Sequence, residues 1–239
     1  MDKEEVFRFK NFEVVHGKGS MKVGVDAVLL GSWAGENEAK ILDVGTGCGV
    51  IALILAQRFP KAIIEAIDID FPSVKEAAFN FSNSPWDKRL KVRLLKFPEE
   101  INNTEEKYDL IVSNPPYFKS GITSPATQRE KARHQDSLSV FSLLRNAQKN
   151  LEEEGKLAII FPRAYYEEAL MTGENFNLLP NRICFIRDNE FRQDKRVMVE
   201  FTFNGRSQQH PQIEQLTLFD RGEPTIEYRK LCHEFYLKF

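Results

Sequence analysis

The chain has 239 residues, of which 42% are hydrophobic and 28% are charged, a balance that excludes an intrinsically disordered chain and predicts a folded core. Thirty-three Lys and Arg side chains oppose 35 Asp and Glu side chains, so the net charge is −2 and any nucleic-acid partner must be held by a local basic patch. The N-terminal segment lacks the apolar stretch of a signal peptide, and no run of 18 apolar residues occurs. We therefore expect a cytoplasmic protein that neither crosses nor enters a membrane.

The three cysteines and four histidines do not show the spacing of a disulfide framework or of a zinc site. Cys48, Cys184 and Cys232 are odd in number and contain no Cys-x-x-Cys pair, and the histidines are scattered. We expect reduced cysteines and no metal.

Short apolar runs alternate with amphipathic stretches along most of the chain. Before residue 40 we predict short strands within residues 1–23 and a helix at VDAVLLGSWAG. The later strands are predicted at AKILDVG, AIIEAID, LKVRLLKF, YDLIVSN and KLAIIFP, and the later helices at VIALILAQRF, PSVKEAAFNFSN, SVFSLLRNAQKNLEEE (ended by Gly155) and AYYEEALMTGEN. This alternation predicts an α/β fold with a parallel sheet covered by helices on both faces.

The alternation of predicted strands and helices ends near the end of the chain. NRICFIRD and KRVMVEFTF are β-rich runs separated by only a few polar residues, which is typical of an antiparallel hairpin. Residues 205–239 are predicted to form a polar connector and an amphipathic end.

A glycine-rich segment, Asp43-Val44-Gly45-Thr46-Gly47-Cys48-Gly49, joins a predicted strand to the helix that follows it. The absent side chains let backbone N–H groups approach an anionic or carboxylate-bearing ligand at the helix N-terminus. Val50 stands where the dinucleotide fingerprint requires a third glycine, and Asp43 would repel phosphates. A negative charge there favours a ligand with an ammonium and a sulfonium group, which describes S-adenosylmethionine.

Two aspartates follow the next predicted strand. Asp68 lies 23 residues after Gly45, where a carboxylate can accept hydrogen bonds from both ribose hydroxyls. Asp70 precedes Phe71 and Pro72 and is predicted to be a helix N-cap.

The tetrapeptide Asn114-Pro115-Pro116-Tyr117 follows the buried run YDLIVS, which places it at the carboxyl edge of the predicted sheet. The two prolines stiffen the turn and direct two hydrogen-bond acceptors, the Asn114 side chain and the Pro115 carbonyl. Two acceptors that bind the hydrogens of an aromatic amino group make its nitrogen lone pair available for attack on a methyl sulfonium. Tyr117 offers a flat face on which a target base can stack.

Together these motifs resemble the class I S-adenosylmethionine-dependent methyltransferases with an N-P-P-Y motif, which methylate planar amino or amide nitrogens. MKVGVDAVLLGSWA, NSPW, QREKAR and EFYLKF further resemble the bacterial tRNA adenine N6-methyltransferases that modify adenine 37, in the anticodon loop of a valine tRNA. The resemblance spans nearly the whole chain. It implies a Rossmann-like, doubly wound, seven-stranded sheet, mostly parallel with a terminal antiparallel hairpin, in a single methyltransferase domain (an extension at 1–39, a catalytic core at 40–204 and a tail at 205–239).

The resemblance also implies the site residues and the partners. The implied cofactor is S-adenosylmethionine and the implied substrate is tRNA, and we expect a monomer. The implied cofactor-binding residues are Asp43, Gly45, Gly47, Gly49 and Asp68, and the implied catalytic residues are Asn114, Pro115, Pro116 and Tyr117.

Two positions depart from the pattern of these families. Val25 replaces a threonine whose hydroxyl can touch the cofactor's carboxylate. Lys96 replaces an aspartate that can meet the adenine amino group of the cofactor, so either cofactor affinity is lower or Phe97 and the backbone take its place.

Basic side chains near the tetrapeptide are the candidates for holding RNA. Arg129, Lys131 and Arg133 follow it closely and are predicted to contact phosphates beside the target base. We expect basic residues of the terminal hairpin to extend this footprint, namely Arg187, Arg192, Lys195 and Arg196.

Other functions remain open at this stage. A glutamine N5-methyltransferase of release factors shares the tetrapeptide but has a longer helical region in front. DNA adenine methyltransferases need a target-recognition region, and guanine-modifying rRNA relatives usually carry a second domain. A non-catalytic cofactor- or RNA-binding module is opposed by the intact tetrapeptide, and a nicotinamide-dependent oxidoreductase by Val50.

Overall fold

The computed structural model describes residues 5–17, 22–116, 138–203 and 210–239. Within these ranges the strands are β1 (Glu5–Arg8), β2 (Glu13–His16), β3 (Lys40–Val44), β4 (Ile63–Asp68), β5 (Leu90–Leu94), β6 (Tyr108–Ser113), β7 (Leu151–Pro162), β8 (Leu178–Asn189), β9 (Arg196–Phe203), β10 (Gln212–Asp220) and β11 (Glu223–Pro224). The helices are α1 (Val25–Trp33), α2 (Val50–Arg58), α3 (Phe71–Ser82), α4 (Val140–Asn146), α5 (Tyr166–Asn175) and α6 (Ile226–Cys232).

The central sheet has nine strands in the order β11-β10-β8-β9-β7-β6-β3-β4-β5. The strands β3 to β7 are parallel to their neighbours among themselves, whereas β9 runs antiparallel to both β7 and β8. The doubly wound, mostly parallel sheet and its terminal hairpin are therefore confirmed.

The sheet exceeds the seven strands expected, because the tail adds β10 and β11. β10 pairs in parallel with β8, from Gln212 opposite Arg182 to Phe219 opposite Asn189. Leu216 and Leu218 of β10 are buried while neighbouring side chains are more exposed. This period of two lets the tail cover the edge of the hairpin, where we expected only a polar connector and an amphipathic end.

The central strand β3 buries both of its faces. Adjacent residues of β3 alternate between two cores, with Ile41 in the cluster that contains α1 and α2, and Leu42 in the cluster that contains α4. No helix in the described part of the chain is both long and apolar enough to span a lipid bilayer.

The helix predicted at SVFSLLRNAQKNLEEE is shorter than expected. α4 ends at Asn146, a 3-10 turn follows, and the fully buried Asn150 donates hydrogen bonds to the carbonyl oxygens of Ile101 (3.3 Å) and Glu106 (3.0 Å). Because Asn150 is held between two loops at that point, the chain leaves the helix before the glutamates.

Gly155 lies within β7 and does not end a helix, so that prediction is wrong. Tyr108 pairs with Leu151 and Leu110 pairs with Lys156, so β7 has extra residues between these two pairs. The three glutamates at 152–154 lie in this irregularity of the strand. A Cβ atom on Gly155 would lie 2.9 Å from the carbonyl oxygen of Tyr108. The added Cβ would also lie 2.9 Å from the carbonyl oxygen of Glu152, so the glycine is required by the close approach of β6 and of the preceding irregular turn, and not by a helix end.

Candidate active site

The carboxyl ends of β3, β4 and β6 lie at one edge of the sheet, beside the central strand β3. Asp43 is opposite Val112 of β6 on one side and opposite Ala66 of β4 on the other. The glycine-rich loop, Asp68 and Asn114 therefore follow neighbouring strands at the same edge. From β3 the sheet extends in two directions, through β4 and β5 on one side and through β6 and β7 on the other. Doubly wound sheets bind ligands at this switch point.

The glycine-rich loop turns sharply after β3. Gly45, Gly47 and Gly49 have φ values of +71°, +56° and +84°, a region that other residues rarely adopt. The amide of Gly45 donates to the carbonyl oxygen of Ile67 at 2.9 Å, which ties the loop to β4. A Cβ atom on Gly45 would lie 2.5 Å from Cδ2 of Leu138, so the loop has no room for a side chain there.

Gly49 is the N-cap of α2, and it brings that helix close to α3. A Cβ atom on Gly49 would lie 2.5 Å from Cε1 of Phe81 and 3.3 Å from Cβ of Ala77. The N–H groups of Val50 and Ile51, in the first turn, have no acceptor within the helix. They give this end of α2 a positive partial charge that suits a carboxylate.

The Asp43 side chain lies beneath the loop and is fully buried. Its Oδ2 accepts a 2.6 Å hydrogen bond from the Thr46 hydroxyl, whereas Oδ1 has no partner of normal geometry among the described residues. Burial raises the pKa of Asp43 to about 7, against the opposing effects of the Thr46 hydroxyl and the Ala52 amide, and the nearby Asp68 raises it further. A cation near this carboxylate would favour its charged form.

Asp68 and Asp70 take different positions at the end of β4. Asp68 is half-buried, and its two carboxylate oxygens accept from the amides of Gly47 and Asp70, both at 2.9 Å. Each oxygen retains a second lone pair for another donor. Asp70 accepts from the Ser73 amide at 2.9 Å and caps α3, which confirms the N-cap prediction.

Asn114 and the two prolines follow the end of β6 and differ in burial. Asn114 is half-buried, Pro115 is buried and Pro116 is exposed. Tyr117, Arg129, Lys131 and Arg133 lie outside the described residues.

Two buried polar residues that position this edge were missed by the sequence analysis. The Ser113 hydroxyl donates to the carbonyl oxygen of Val44 at 2.8 Å. The Asn80 side chain donates to the carbonyl oxygens of Val15 and Cys48, both at 2.8 Å, and joins β2 to the glycine-rich loop. Ser113 could be noticed as a polar residue that ends the apolar run of β6, whereas Asn80 lies in an amphipathic helix and has no distinguishing signal in the sequence.

The two departures noted in the sequence have different surroundings. Val25 begins α1, and the neighbouring Asp26 forms a 2.6 Å ion pair with Arg196 of β9. The Lys96 ammonium pairs with Glu99 at 3.1 Å, while the Lys96 amide donates to a Glu100 carboxylate oxygen at 2.5 Å.

Phe97 packs in the core beside α4 and is buried. Its ring is therefore engaged by neighbouring core side chains. The carboxylate nearest to the backbone of position 96 comes from Glu100.

Comparison with known proteins gives close relatives and structural neighbours. The chain is 41% identical over 234 residues to the tRNA1(Val) (adenine(37)-N6)-methyltransferase of Parabacteroides distasonis, covering 97% of this chain and 98% of that protein. It is 40% identical to the protein of the same name from Flavobacterium johnsoniae, covering 98% and 100%.

Two solved structures show the same fold. One is described as a "predicted O-methyltransferase" of Agrobacterium tumefaciens (TM-score 0.68, 17% identity, 88% of this chain and 96% of that chain). The other is the 16S rRNA N2 G1207 methyltransferase of T. thermophilus (TM-score 0.56, 18% identity, 84% and 50%).

A family model described as the methyltransferase small domain matches residues 7–178. This match covers most of the chain, including the glycine-rich loop and the tetrapeptide. The resemblance stated from these motifs is therefore confirmed, and the chain belongs to the methyltransferase small domain family.

Proposed function

We propose that this methyltransferase transfers the methyl group of S-adenosylmethionine to the exocyclic N6 of adenine 37 in a valine tRNA, with S-adenosylhomocysteine as the second product. The names and near-complete coverage of the relatives support this substrate. The structural observation that carries the proposal is the pairing of β3 with β6. It brings the glycine-rich loop beside Asn114, so a methyl donor and an amino group can meet at one rim.

The residues at the loop fit the cofactor. The first-turn amides of α2 suit its carboxylate, and the free lone pairs of Asp68 suit its ribose hydroxyls. The Asp43 carboxylate is hydrogen-bonded to Thr46 of the loop and its Oδ1 has no partner among the described residues, so a negative charge there suits an ammonium or a sulfonium. Gly45 and Gly47 allow the backbone to approach the ligand closely.

The tetrapeptide prepares the nucleophile. When bound, S-adenosylmethionine supplies an electrophilic methyl group on a sulfonium centre. Asn114 and the Pro115 carbonyl accept hydrogen bonds from the adenine amino group and so leave its lone pair free. Tyr117, which lies outside the described residues, provides a stacking face for the flipped base. Because the amine becomes acidic only after methylation, these residues act by positioning and need no strong base.

Arg129, Lys131 and Arg133, also outside the described residues, are proposed to hold phosphates beside that base. Neutralising one such residue is expected to weaken tRNA binding for every tRNA sequence to a similar degree, because phosphate contacts carry no direct sequence information.

The test is incubation of the full chain with methyl-labelled S-adenosylmethionine and separate pools of tRNA, rRNA, DNA and release factor. We expect label in tRNA, as N6-methyladenine after nuclease digestion. Label in release factor alone would contradict the proposal and support the glutamine methyltransferase alternative. Absence of label from every pool, with cofactor binding intact, would favour a non-catalytic module.

A further inference from the structure

An exposed aromatic side chain stands at the tip of the terminal hairpin, which we define as residues 189–195. Phe191 is 87% exposed, more than any other large hydrophobic side chain that the structure describes. Because single exposed hydrophobic side chains are common on protein surfaces, this ring indicates a partner only together with the position, order and charge of the tip around it.

The hairpin tip projects from the same edge of the sheet as Asn114. Ile186 of β8 is opposite Arg196 of β9, and Arg196 is opposite Pro162, the last residue of β7. Since β7 runs parallel to β6, the end of β8 and the start of β9 lie at the carboxyl edge. Two strand spacings, about 10 Å, separate β6 from β9.

The tip is held in a defined shape. The Phe191 amide donates to the Asn189 side chain at 3.1 Å, and the Arg192 amide donates to the Asn189 carbonyl oxygen at 3.1 Å. The Lys195 amide donates to Ile186 at 2.8 Å, and its carbonyl oxygen accepts from Arg163 at 3.0 Å. A surface already ordered in this way loses little conformational entropy on binding.

The charges at the tip differ in whether they are paired. Asp188 is paired with both Arg196 (2.8 Å) and Lys195 (3.4 Å). The Arg192 guanidinium is exposed and has neither a hydrogen-bond nor an ion-pair partner within the described ranges. Two carboxylates of the tip would oppose a polyanion: Glu190 is exposed, and Asp194 is partly exposed and accepts a 2.8 Å hydrogen bond from the neutral Gln215 side chain.

The basic residues nearer the strands are engaged in the fold. Arg187 donates to the Thr217 hydroxyl at 2.8 Å, and Arg196 also pairs with Asp26 at 2.6 Å. The sequence analysis grouped four basic residues in this footprint, but the structure leaves Arg192 as the member that is most available.

We propose that the hairpin tip binds the RNA substrate, with Phe191 stacking on an unpaired base and Arg192 contacting the phosphate backbone. This inference rests on the proposed function for the identity of the RNA. A single-stranded loop presents both an unstacked base and closely spaced phosphates, which match an exposed ring beside a free guanidinium.

The test measures equilibrium binding of a fluorescently labelled, unmodified valine tRNA transcript by anisotropy, for the full chain and five variants. Phe191→Ala is expected to raise Kd at least about 5-fold, the lower end of the effect of removing one stacking aromatic. Arg192→Ala is expected to weaken binding and to reduce the slope of log K against log salt by about 0.7 to 1. Glu190→Gln is expected to tighten binding, because it removes one opposing charge.

Two controls lie away from this edge. Phe79→Ala removes a ring that is 54% exposed in the last turn of α3, and Lys61→Ala removes an exposed cation just before β4 begins. Both are expected to leave Kd unchanged.

The outcomes separate this inference from the proposed function. Equal tRNA affinity in the wild type and all three tip variants would overturn the inference while leaving methylation of tRNA intact. Tip-dependent tRNA binding without methyl transfer would contradict the proposed function and support the inference. Absence of tRNA binding by the wild type would overturn both.

Discussion

The hydroxyl of Ser113 donates a 2.8 Å hydrogen bond to the carbonyl oxygen of Val44 in the interior of the sheet. Ser113 immediately precedes Asn114, and Val44 immediately precedes Gly45. The bond therefore joins the last residues of β6 and β3 at the point where the tetrapeptide and the glycine-rich loop begin.

Replacing this hydroxyl is expected to affect catalysis more than stability. Ser113→Ala should cost about 1 kcal/mol in the free energy of unfolding and lower kcat at least about 10-fold, since small displacements of reacting groups are costly. Thr104→Ala is the matched control, because the Thr104 hydroxyl donates a similar 2.8 Å bond to the Ile101 carbonyl oxygen away from the site. Similar losses of kcat in both variants, measured by steady-state methyl transfer, would contradict the positioning role.

Asn114→Ala is expected to abolish methyl transfer and to leave cofactor affinity within about 2-fold of the wild type, because we assign this side chain to the target amino group. Isothermal titration with S-adenosylmethionine and a transfer assay with tRNA separate the two effects. A large loss of cofactor affinity would mean that Asn114 serves the methyl donor.

The raised pKa of the buried Asp43 carboxyl leads us to expect that stability falls as pH rises. Its pKa of about 7 in the folded protein, against an ordinary value of 3.8, means that the folded state binds this proton more tightly than the unfolded state. The contribution of Asp43 to stability is therefore present below about pH 4 and is lost as pH rises towards 7, by about 1.4 kcal/mol per pH unit at most. Relative to Asp43→Asn, the wild type should lose stability across this window in urea titrations.

The same substitution should weaken S-adenosylmethionine binding, because an amide supplies no negative charge. In the wild type the affinity should rise as pH passes through 7, and in Asp43→Asn this rise should be absent. If the free energies of unfolding of the wild type and of Asp43→Asn change with pH in parallel from pH 5 to 8, the Asp43 carboxyl is already ionised in the folded state and both expectations are wrong.

Gly49→Ala is expected to destabilise the protein through both strain and crowding. The left-handed backbone (φ +84°) costs about 1–2 kcal/mol for a residue with a Cβ atom, and the 2.5 Å approach to Phe81 adds about 1–3 kcal/mol. Gly222→Ala is the matched control, because Gly222 has a φ of +88° and no atom within 4 Å of its added Cβ. Equal losses in urea unfolding would show that crowding against α3 contributes nothing.

Asp68 and Asp70 should separate cofactor binding from helix capping. Asp68→Ala is expected to raise the Kd for S-adenosylmethionine at least about 10-fold, because hydrogen bonds to a charged group are worth about 1.5–3 kcal/mol each. Asp70→Ala should cost about 1 kcal/mol of stability through loss of the cap of α3 and leave that Kd within about 2-fold. Titration calorimetry and thermal unfolding of both variants provide the comparison, and the reverse pattern would exchange their roles.

Sequence reasoning failed where local preference and tertiary context disagree. The glutamates at 152–154 favour a helix by themselves, but Leu151 pairs with Tyr108 and the chain continues as β7. The sequence of the tail only weakly indicates the strand β10, because that strand is defined by its pairing with β8, which ends more than 20 residues earlier. The burial of Asp43 beneath the loop could not be foreseen either, because the loop's path determines it.

The order of strands and helices in the core, the glycine-rich loop after β3 and the motifs at the strand ends follow from the sequence, because hydrophobic period, turn chemistry and residue type act over a few neighbours. Tertiary structure alone decided that Ser113 and Asn80 support the loop, and which basic side chains of the hairpin are paired. Those facts depend on contacts between residues far apart in the chain, and no local pattern encodes which distant partner a polar side chain will meet.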